Sequence, residues 1–364
     1  MGRMLGPSSA VAKRCSVSVV VAVSHRGTRL AMTVSRGRCL RPVHVSLGRS
    51  SAPGFTSMSV YPLDPALQAY VDASARFIPR DDTLAARREA FAQACRYFTP
   101  PQPENVVIDD QRLNGMRVRV YRPTGESPLG GWPTVLYLHG GGWSMGAHDT
   151  HDWFAFALAQ RLPVALVAVD YRLAPEHPFP APMEDALNAW LALREGRWPG
   201  LSSERLAVTG DSAGGTLAAG LCVTLLEQGL VQPRLQALVY PVLSARSDFA
   251  SMREHAYAPM LTTLGLMASL SGYVPDEPRQ RDPRALPLEL NTATGMAPAF
   301  IAMAQLDPLL DQGRAYVHLL KEASVPVELY VGGGLVHASL RASGVEGVEH
   351  FYDAIAAALR AALF

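Results

Sequence analysis

The chain has 364 residues, of which 48% are hydrophobic and 18% are charged, and its formal net charge at pH 7 is +1. This length is enough for one large domain with a sizeable apolar core. A nearly neutral chain offers no basic surface for nucleic acid, and no apolar run approaches the roughly 18 residues that cross a membrane. We therefore expect a globular protein without a nucleic-acid partner or a membrane span.

Residues 1–57 differ in composition from the rest of the chain. They contain nine Lys or Arg and no Asp or Glu, and the first acidic residue is Asp64. Three interpretations stay open. We favour a misplaced start, with translation beginning at Met58 and a cytoplasmic protein; the others are an organelle transit segment and a secretion signal with Ser16–Val23 as its apolar core. None of them gives this extension a part in the chemistry.

The four cysteines show no C-x-x-C spacing, and two of them, Cys15 and Cys39, lie in the extension. This pattern favours neither a disulfide framework nor a zinc site, and it suits a reducing compartment. Cys222 lies in an apolar helical stretch, so we expect it to be a small buried hydrophobic residue.

Two helices are predicted at the start of the folded part. Apolar residues recur at helical spacing over Pro62–Ile78 and again from Asp82 to about Tyr97. The prolines at 100, 101 and 103 end the second helix. We expect residues 58–103 to form the N-terminal part of a cap.

From residue 104 to the end, short apolar strands alternate with helices. Strands are predicted at Met116–Tyr121, Thr134–Leu138, Val164–Val169, Leu206–Thr209, Ala237–Tyr240, Ala299–Ala304 and Val325–Val331, with helices between them that include Trp153–Arg161, Met183–Arg194 and Ala213–Glu227. This alternation predicts an α/β fold, in which helices cover both faces of a mostly parallel sheet. Residues 246–290 are too long for one crossover, so we expect a cap insertion there that packs with the N-terminal helices as a lid.

The nucleophile is predicted from the sequence Gly210-Asp211-Ser212-Ala213-Gly214, which fits the pattern G-x-S-x-G. A strand is predicted before it and an apolar helix after it, as the motif requires. The turn is so tight that glycine is favoured two residues before and two residues after the serine. Ser212 would then project above the sheet at a helix N-terminus, where the helix dipole favours developing negative charge.

An oxyanion hole is predicted at His139-Gly140-Gly141-Gly142-Trp143, directly after the strand at 134–138. Three glycines leave backbone N–H groups free to face a substrate. We expect the donors to be the N–H groups of Gly141, Gly142 and Ala213, each commonly worth about 3–4 kcal/mol to the tetrahedral intermediate. A phosphate-binding loop is the weaker interpretation, because no Lys-Ser/Thr follows the glycines. We expect His139 to be a structural hydrogen-bonding group.

The base and the acid are predicted from their order along the chain, which is Ser, then Asp or Glu, then His in α/β-hydrolases. Of the histidines after Ser212, only His337 follows a predicted strand, and the glycines at 332–334 would let its loop reach back to the serine. Asp307 lies at the end of a strand and should orient the imidazole. Asp311, one helical turn further on, would cap or support.

These motifs together resemble the hormone-sensitive-lipase-like family of esterases, in the branch that carries G-D-S-A-G. The resemblance covers Met58 to the end and is carried by H-G-G-G-W, G-D-S-A-G-G and D-Y-R-L-A-P-E-H-P-F-P-A at Asp170–Ala181. D-P-L-L-D, which begins at Asp307, looks like the family's catalytic-acid motif. Many relatives read H-G-F where this chain reads H-A-S from His337, a departure that concerns local packing and the acyl pocket.

The resemblance implies an α/β-hydrolase fold with a helical cap and no metal or organic cofactor, and it makes a homodimer an expected oligomeric state. It also implies that Arg172 and Glu176 brace the oxyanion loop. Relatives are mostly esterases for short or medium acyl chains. The apolar lid residues Phe91, Tyr257, Met260, Leu266 and Met267 are expected to close an apolar pocket over the sheet.

The sequence therefore predicts a serine carboxylesterase that acts on a small ester through an acyl-enzyme. Two other functions stay open. The same triad could cleave amides, carbamates or formanilides. The same fold also serves as a small-molecule receptor in plant gibberellin receptors, which lack the catalytic histidine that is present here as His337.

Overall fold

A computed structural model gives the structure of residues 61–364. The extension 1–57, with Cys15 and Cys39, lies outside the described residues, so the three interpretations of its origin stay predictions. The proposed boundaries of the cap, 58–103 and 246–290, also stay predictions. In the described part, no helix is both long and apolar enough to span a bilayer.

The centre of the fold is a mixed sheet of eight strands. They are β1 (Val106–Leu113), β2 (Met116–Pro123), β3 (Trp132–Leu138), β4 (Ala165–Val169), β5 (Leu201–Asp211), β6 (Gln236–Val239), β7 (Ala299–Leu306) and β8 (Val327–Val336). Their order is β1-β2-β4-β3-β5-β6-β7-β8. Only the pairs β1·β2 and β2·β4 are antiparallel. The predicted mostly parallel sheet is confirmed.

Strand β1 is the element that the sequence analysis missed. Its ends, Val106 and Leu113, are buried, but between them stand Asp109, Asp110 and Gln111. Among the described residues it is an edge strand that pairs only with β2, so its polar residues can face water. A short polar strand of this kind carries little hydrophobic periodicity.

Ten α-helices surround the sheet in residues 61–364. They are α1 (Pro65–Ser74), α2 (Leu84–Phe98), α3 (Asp152–Ala159), α4 (Ala181–Arg194), α5 (Ala213–Glu227), α6 (Ala250–Glu254), α7 (Thr263–Tyr273), α8 (Glu277–Gln280), α9 (Leu310–Glu322) and α10 (Glu346–Leu363). Helix α1 begins at a cap, since the Asp64 carboxylate accepts the N–H groups of Ala66 and Leu67. It ends before Ile78, which was counted in its apolar stripe but is 77% exposed.

Helix α5 is the central helix of the fold. Every residue from Ala213 to Leu225 is buried, as expected for an apolar helix that packs on the middle of a sheet. Cys222 is a free, fully buried thiol on this helix, and burial raises its pKa. It is the small buried residue that the sequence predicted.

The carboxyl ends of the parallel strands determine where the predicted site residues lie. Strand β3 leads into the glycine loop, β5 into Ser212, β7 into Asp307 and β8 into His337. Parallel strands present their carboxyl ends at one edge of the sheet, and this edge is where α/β proteins bind ligands. The fold therefore brings four separate segments of the chain to one place.

Candidate active site

The turn between β5 and α5 holds Ser212 in a strained backbone conformation. Its φ of 54° and ψ of −119° are unusual for a residue other than glycine. A Cβ atom at Gly210 would lie 2.4 Å from the backbone of Gly214, and one at Gly214 would lie 1.9 Å from the carbonyl oxygen of Leu138. Glycine is therefore required at both positions, as the motif predicted, and the turn presents the serine hydroxyl to the cavity above the sheet.

Three side chains form a continuous hydrogen-bonded line at this edge. Ser212 Oγ lies 2.9 Å from His337 Nε2, and His337 Nδ1 lies 2.7 Å from Asp307 Oδ2. Asp307 is fully buried, and its Oδ1 accepts the N–H of Leu309 at 2.9 Å. With the Nδ1 proton donated to the carboxylate, Nε2 is free to accept the serine proton. The structure thus brings together the three residues that the sequence singled out.

The other acidic candidate, Asp311, lies in a different environment. Its Oδ2 accepts the N–H of Ser251 at 2.9 Å, and its Oδ1 pairs with Arg314 at 3.0 Å. It thereby holds the first turn of α6, in the predicted cap insertion, against α9. This arrangement agrees with the supporting role that was expected of Asp311.

The segment that carries His337 to the serine differs from the flexible loop that the sequence predicted. The glycines at 332–334 belong to β8 rather than to a flexible loop. The pairing of β8 with β7 is irregular between Ala304 and Leu306, and the Gln305 side chain accepts the N–H of Gly334 at 2.7 Å. An irregular strand therefore carries His337 to the serine.

The residue after His337 is Ala338, where the sequence departs from the pattern H-G-F. It adopts the left-handed conformation, with a φ of 56°, which costs an alanine about 1–2 kcal/mol. Its carbonyl oxygen accepts a hydrogen bond of 2.8 Å from the hydroxyl of Tyr70 on α1. This contact ties the N-terminal helices to the histidine loop.

The glycine loop presents unused backbone donors beside Ser212. Gly141 and Gly142 have positive φ values of 121° and 58°, and both line the same cavity as Ser212. Across residues 61–364, the N–H groups of Gly141, Gly142 and Ala213 donate to no protein acceptor. Ala213 is also the first residue of α5, where the helix dipole is positive. These three N–H groups can therefore receive an oxygen that bears negative charge.

Two side chains that the sequence analysis overlooked form hydrogen bonds to the glycine loop, residues 139–143. Asp211 Oδ1 accepts the N–H of Gly140 at 2.9 Å and the hydroxyl of Tyr137 at 2.7 Å. The hydroxyl of Tyr171 donates to the carbonyl oxygen of His139 at 2.6 Å. The ring of His139 stacks on Tyr171, with centroids 4.2 Å apart, and burial lowers its pKa to about 4. A neutral, stacked His139 suits the structural role expected of it.

The two residues that the resemblance assigned to bracing this loop differ in where they lie. The Arg172 guanidinium turns to α4, where it pairs with Asp185 and Glu184 at 2.9 Å each, so it does not brace the loop. Glu176 acts through a partner that the sequence did not indicate. Arg88 on α2 binds its carboxylate at 2.7 and 2.8 Å, and Arg88 Nε also donates to the carbonyl oxygen of Ser144 at 2.8 Å.

Replacement of Arg88 by methionine is expected to lower kcat roughly tenfold, because small displacements of catalytic groups cost rate. Lysine at 88 should restore part of the activity, since it can reach only one of the two acceptors. Steady-state kinetics on a soluble ester, with the melting temperature as a check on folding, measure the effect. A folded Arg88→Met variant with normal kcat would show that this bridge does not position the loop.

The cavity above Ser212 has a volume of about 210 Å³. Its walls include Phe91, Met260 and Leu266, three of the five lid residues that were expected to line it. The other two are placed elsewhere. Tyr257 is 83% exposed, and Met267 packs against the hydrophobic core. Within residues 61–364, no three His, Cys, Asp or Glu side chains are grouped as metal ligands.

Comparison with known proteins places this chain in a family. The family model described as alpha/beta hydrolase fold matches residues 135–341, which is more than half of the chain. The chain belongs to the α/β-hydrolase fold family. The fold predicted from the sequence is thereby confirmed.

Relatives of this α/β-hydrolase are named as ester hydrolases. The chain is 40% identical over 298 residues to the ethyl acetate hydrolase of Pseudomonas putida, covering 78% of this chain and 93% of that enzyme. It is 37% identical over 293 residues to carboxylesterase NlhH of Mycobacterium tuberculosis, covering 76% and 88%. A crystal structure of an esterase from the bacterial hormone-sensitive lipase family superposes with a TM-score of 0.74 at 25% identity, covering 83% and 99%. The predicted enzyme class, carboxylic ester hydrolase, is confirmed at this level, as is the resemblance to the hormone-sensitive-lipase-like family.

Proposed function

We propose that this α/β-hydrolase is a serine carboxylesterase that hydrolyses small esters of short-chain acids through Ser212, His337 and Asp307. One observation carries the proposal. The hydrogen-bonded line from Ser212 through His337 to Asp307 stands beside backbone N–H groups that donate to no acceptor in residues 61–364. A nucleophile, its base and a site for an oxyanion are the parts that acyl transfer needs.

The first half of the reaction forms the acyl-enzyme. His337 Nε2 takes the proton of Ser212 as the serine oxygen attacks the ester carbonyl carbon. The carbonyl oxygen becomes an oxyanion and accepts hydrogen bonds from Gly141, Gly142 and Ala213. Asp307 stabilises the imidazolium that forms. His337 then returns the proton to the departing alcohol, and the C–O bond of the ester breaks.

The second half hydrolyses the acyl-enzyme. His337 Nε2 removes a proton from a water molecule, and the water oxygen attacks the acyl carbon. The same N–H groups receive the second oxyanion. The intermediate collapses to the free acid as His337 returns the proton to Ser212. Besides the ester and one water molecule, these steps use only groups of the chain itself. A cytoplasmic location and a homodimer stay predictions from the sequence.

The size of the cavity supports a small substrate. A volume of about 210 Å³ lies below the roughly 300–1,000 Å³ that is usual for pockets that bind drug-sized ligands. Each methylene that is buried gains about 0.8 kcal/mol of binding, until the cavity is full and further carbons cannot be seated. An acyl series should therefore rise and then fall.

We expect kcat/KM for 4-nitrophenyl esters to peak at acyl chains of about two to six carbons and to be measurable below the solubility limit of each ester. A series from two to sixteen carbons measures this, with the Ser212→Ala protein as the blank. The 4-nitroanilide of the best acyl group tests the amidase alternative and should turn over far more slowly. An optimum at twelve carbons or more, or a rate that rises only when an emulsion forms, would contradict the proposal.

A further inference from the structure

Arg341 is a buried cation in the wall of the substrate cavity. It ends the 3-10 turn Ser339–Arg341, four residues after His337, and is 8% exposed. It lines the cavity together with Ser212. The reaction proposed above gives it no part, and no motif in the sequence pointed to it.

The guanidinium of Arg341 has no carboxylate partner. In the part of the chain that the structure describes, no Asp or Glu oxygen lies within 4.0 Å of it. Two other arginines with little exposure do have carboxylate partners. Arg119 pairs with Asp110 and Asp152, and Arg161 pairs with Glu349 and Asp353, although both arginine side chains are 16% exposed. Arg341 is more deeply buried than Arg119 and Arg161, yet within residues 61–364 it lacks the carboxylate partners that they have.

The groups that face Arg341 do not neutralise its charge. Its Nη1 donates to Cys95 Sγ at 3.7 Å, a weak acceptor, and its guanidinium carbon lies 5.5 Å from the centre of the Phe91 ring. The neutral hydroxyl of Tyr70 is within hydrogen-bonding reach of the guanidinium, and the hydroxyl of Tyr240 lies in the same cluster. Burial raises the pKa of each hydroxyl. Neither these hydroxyls nor the thiol supplies a negative charge at neutral pH.

Asp211 is the carboxylate of this cluster, and it is engaged elsewhere. Its Oδ1 accepts from Gly140 and Tyr137, as described above, and its Oδ2 lies 3.8 Å from His151 Nε2. Burial holds the pKa of His151 well below its usual range, so that ring is neutral. Asp211 attracts Arg341 through space, but within residues 61–364 the fork of guanidinium N–H groups has no carboxylate oxygen to bind.

An unpaired buried charge is costly unless a ligand compensates it, and a guanidinium fork matches a carboxylate in geometry and charge. We propose that the substrate carries a carboxylate in addition to its ester, and that Arg341 binds that carboxylate in the cavity. This inference rests on the proposed esterase function. The carboxylate can belong to either half of the substrate: the acyl half, as in a half-ester of a dicarboxylic acid, or the alcohol half, as in an acylated hydroxy acid.

The test compares anionic esters with neutral esters of nearly the same shape. Mono-4-nitrophenyl glutarate and its methyl ester probe the acyl half, and 4-acetoxybenzoate and 4-acetoxybenzamide probe the alcohol half. The measured quantity is the ratio of kcat/KM for the anionic ester to that for its neutral partner. In the pair whose carboxylate binds Arg341, we expect Arg341→Met to lower this ratio at least about tenfold, mainly by raising KM for the anionic ester. Arg341→Lys should restore part of the ratio. Arg112→Met removes the same charge from an exposed position on β1 and should leave the ratio unchanged.

A second measurement needs only the wild-type protein, so it holds even if the Arg341 variants do not fold. Benzoate should compete with a neutral ester at a concentration at least about tenfold lower than benzamide. Ratios that do not respond to Arg341 in either pair, or equal inhibition by benzoate and benzamide, would overturn the inference. In that case hydrolysis of the neutral esters would leave the esterase proposal standing. Failure to hydrolyse any ester would instead overturn the esterase proposal.

Discussion

Replacement of Ser212 by alanine is expected to lower kcat by about 10⁴–10⁶, because the members of a triad act as a unit. The alanine variant keeps the N–H groups of the glycine loop and the shape of the cavity, so it should still bind ester. Steady-state or single-turnover hydrolysis of a soluble 4-nitrophenyl ester measures the loss. The positive φ of Ser212 makes the local backbone equally strained in both proteins, so a large change in stability is not expected.

Ser269 offers a matched control, since it lines the same cavity. Its hydroxyl donates to the Gly265 carbonyl oxygen on its own helix and, in residues 61–364, forms no hydrogen bond to a residue of the proposed triad. Ser269→Ala should keep kcat within about tenfold of the wild type. A fluorophosphonate probe should add its mass only to the peptide that contains Ser212. Labelling of another peptide, or near-normal activity of Ser212→Ala, would show that the nucleophile is elsewhere.

The sequence predicted those features that depend on local physics. The central strands β3, β4, β6 and β7 are short apolar runs, and such runs are readable because the central strands are buried on both faces. The requirement for glycine at 210 and 214 is likewise local, since it follows from one tight turn. Strand β1 was missed because its middle residues are polar. The apolar stripe of α1 was extended too far, to Ile78, because an exposed apolar residue looks the same in sequence as a buried one.

The parts of the site that were missed depend on contacts across long stretches of chain. Arg88 reaches the glycine loop from 56 residues away, and Asp211 reaches Gly140 across 71. Nothing in the residues around Arg88 or Arg341 distinguishes them from surface arginines. For Asp211 a signal was present, because it stands beside the nucleophile in the motif, but its hydrogen bonds appear only when β3 and β5 lie side by side. The assignment of Arg172 went wrong for the same reason, since its partners on α4 were not known.

The two acids of D-P-L-L-D are expected to separate clearly when each is changed to asparagine. Asp307→Asn should lower kcat by about 10⁴, in line with the loss of an orienting aspartate in other serine hydrolases. Asp311→Asn should cost less than about tenfold, because Asp311 bonds to Ser251 and Arg314 and not to the imidazole. Both changes replace one carboxylate by an amide of the same shape, so each serves as the control for the other.

The hydrogen bonds around Asp307 explain why the amide should be so damaging. Oδ1 accepts the N–H of Leu309 at 2.9 Å, so an asparagine must keep its carbonyl oxygen there and point its NH₂ group at His337. That NH₂ group would donate to Nδ1 and move the ring proton to Nε2, where it faces Ser212 and cannot accept the serine proton. Measurement of kcat for both variants, with circular dichroism and thermal melting to show that each is folded, decides the assignment. If folded Asp311→Asn loses more activity than folded Asp307→Asn, then Asp307 is not the residue that orients the base.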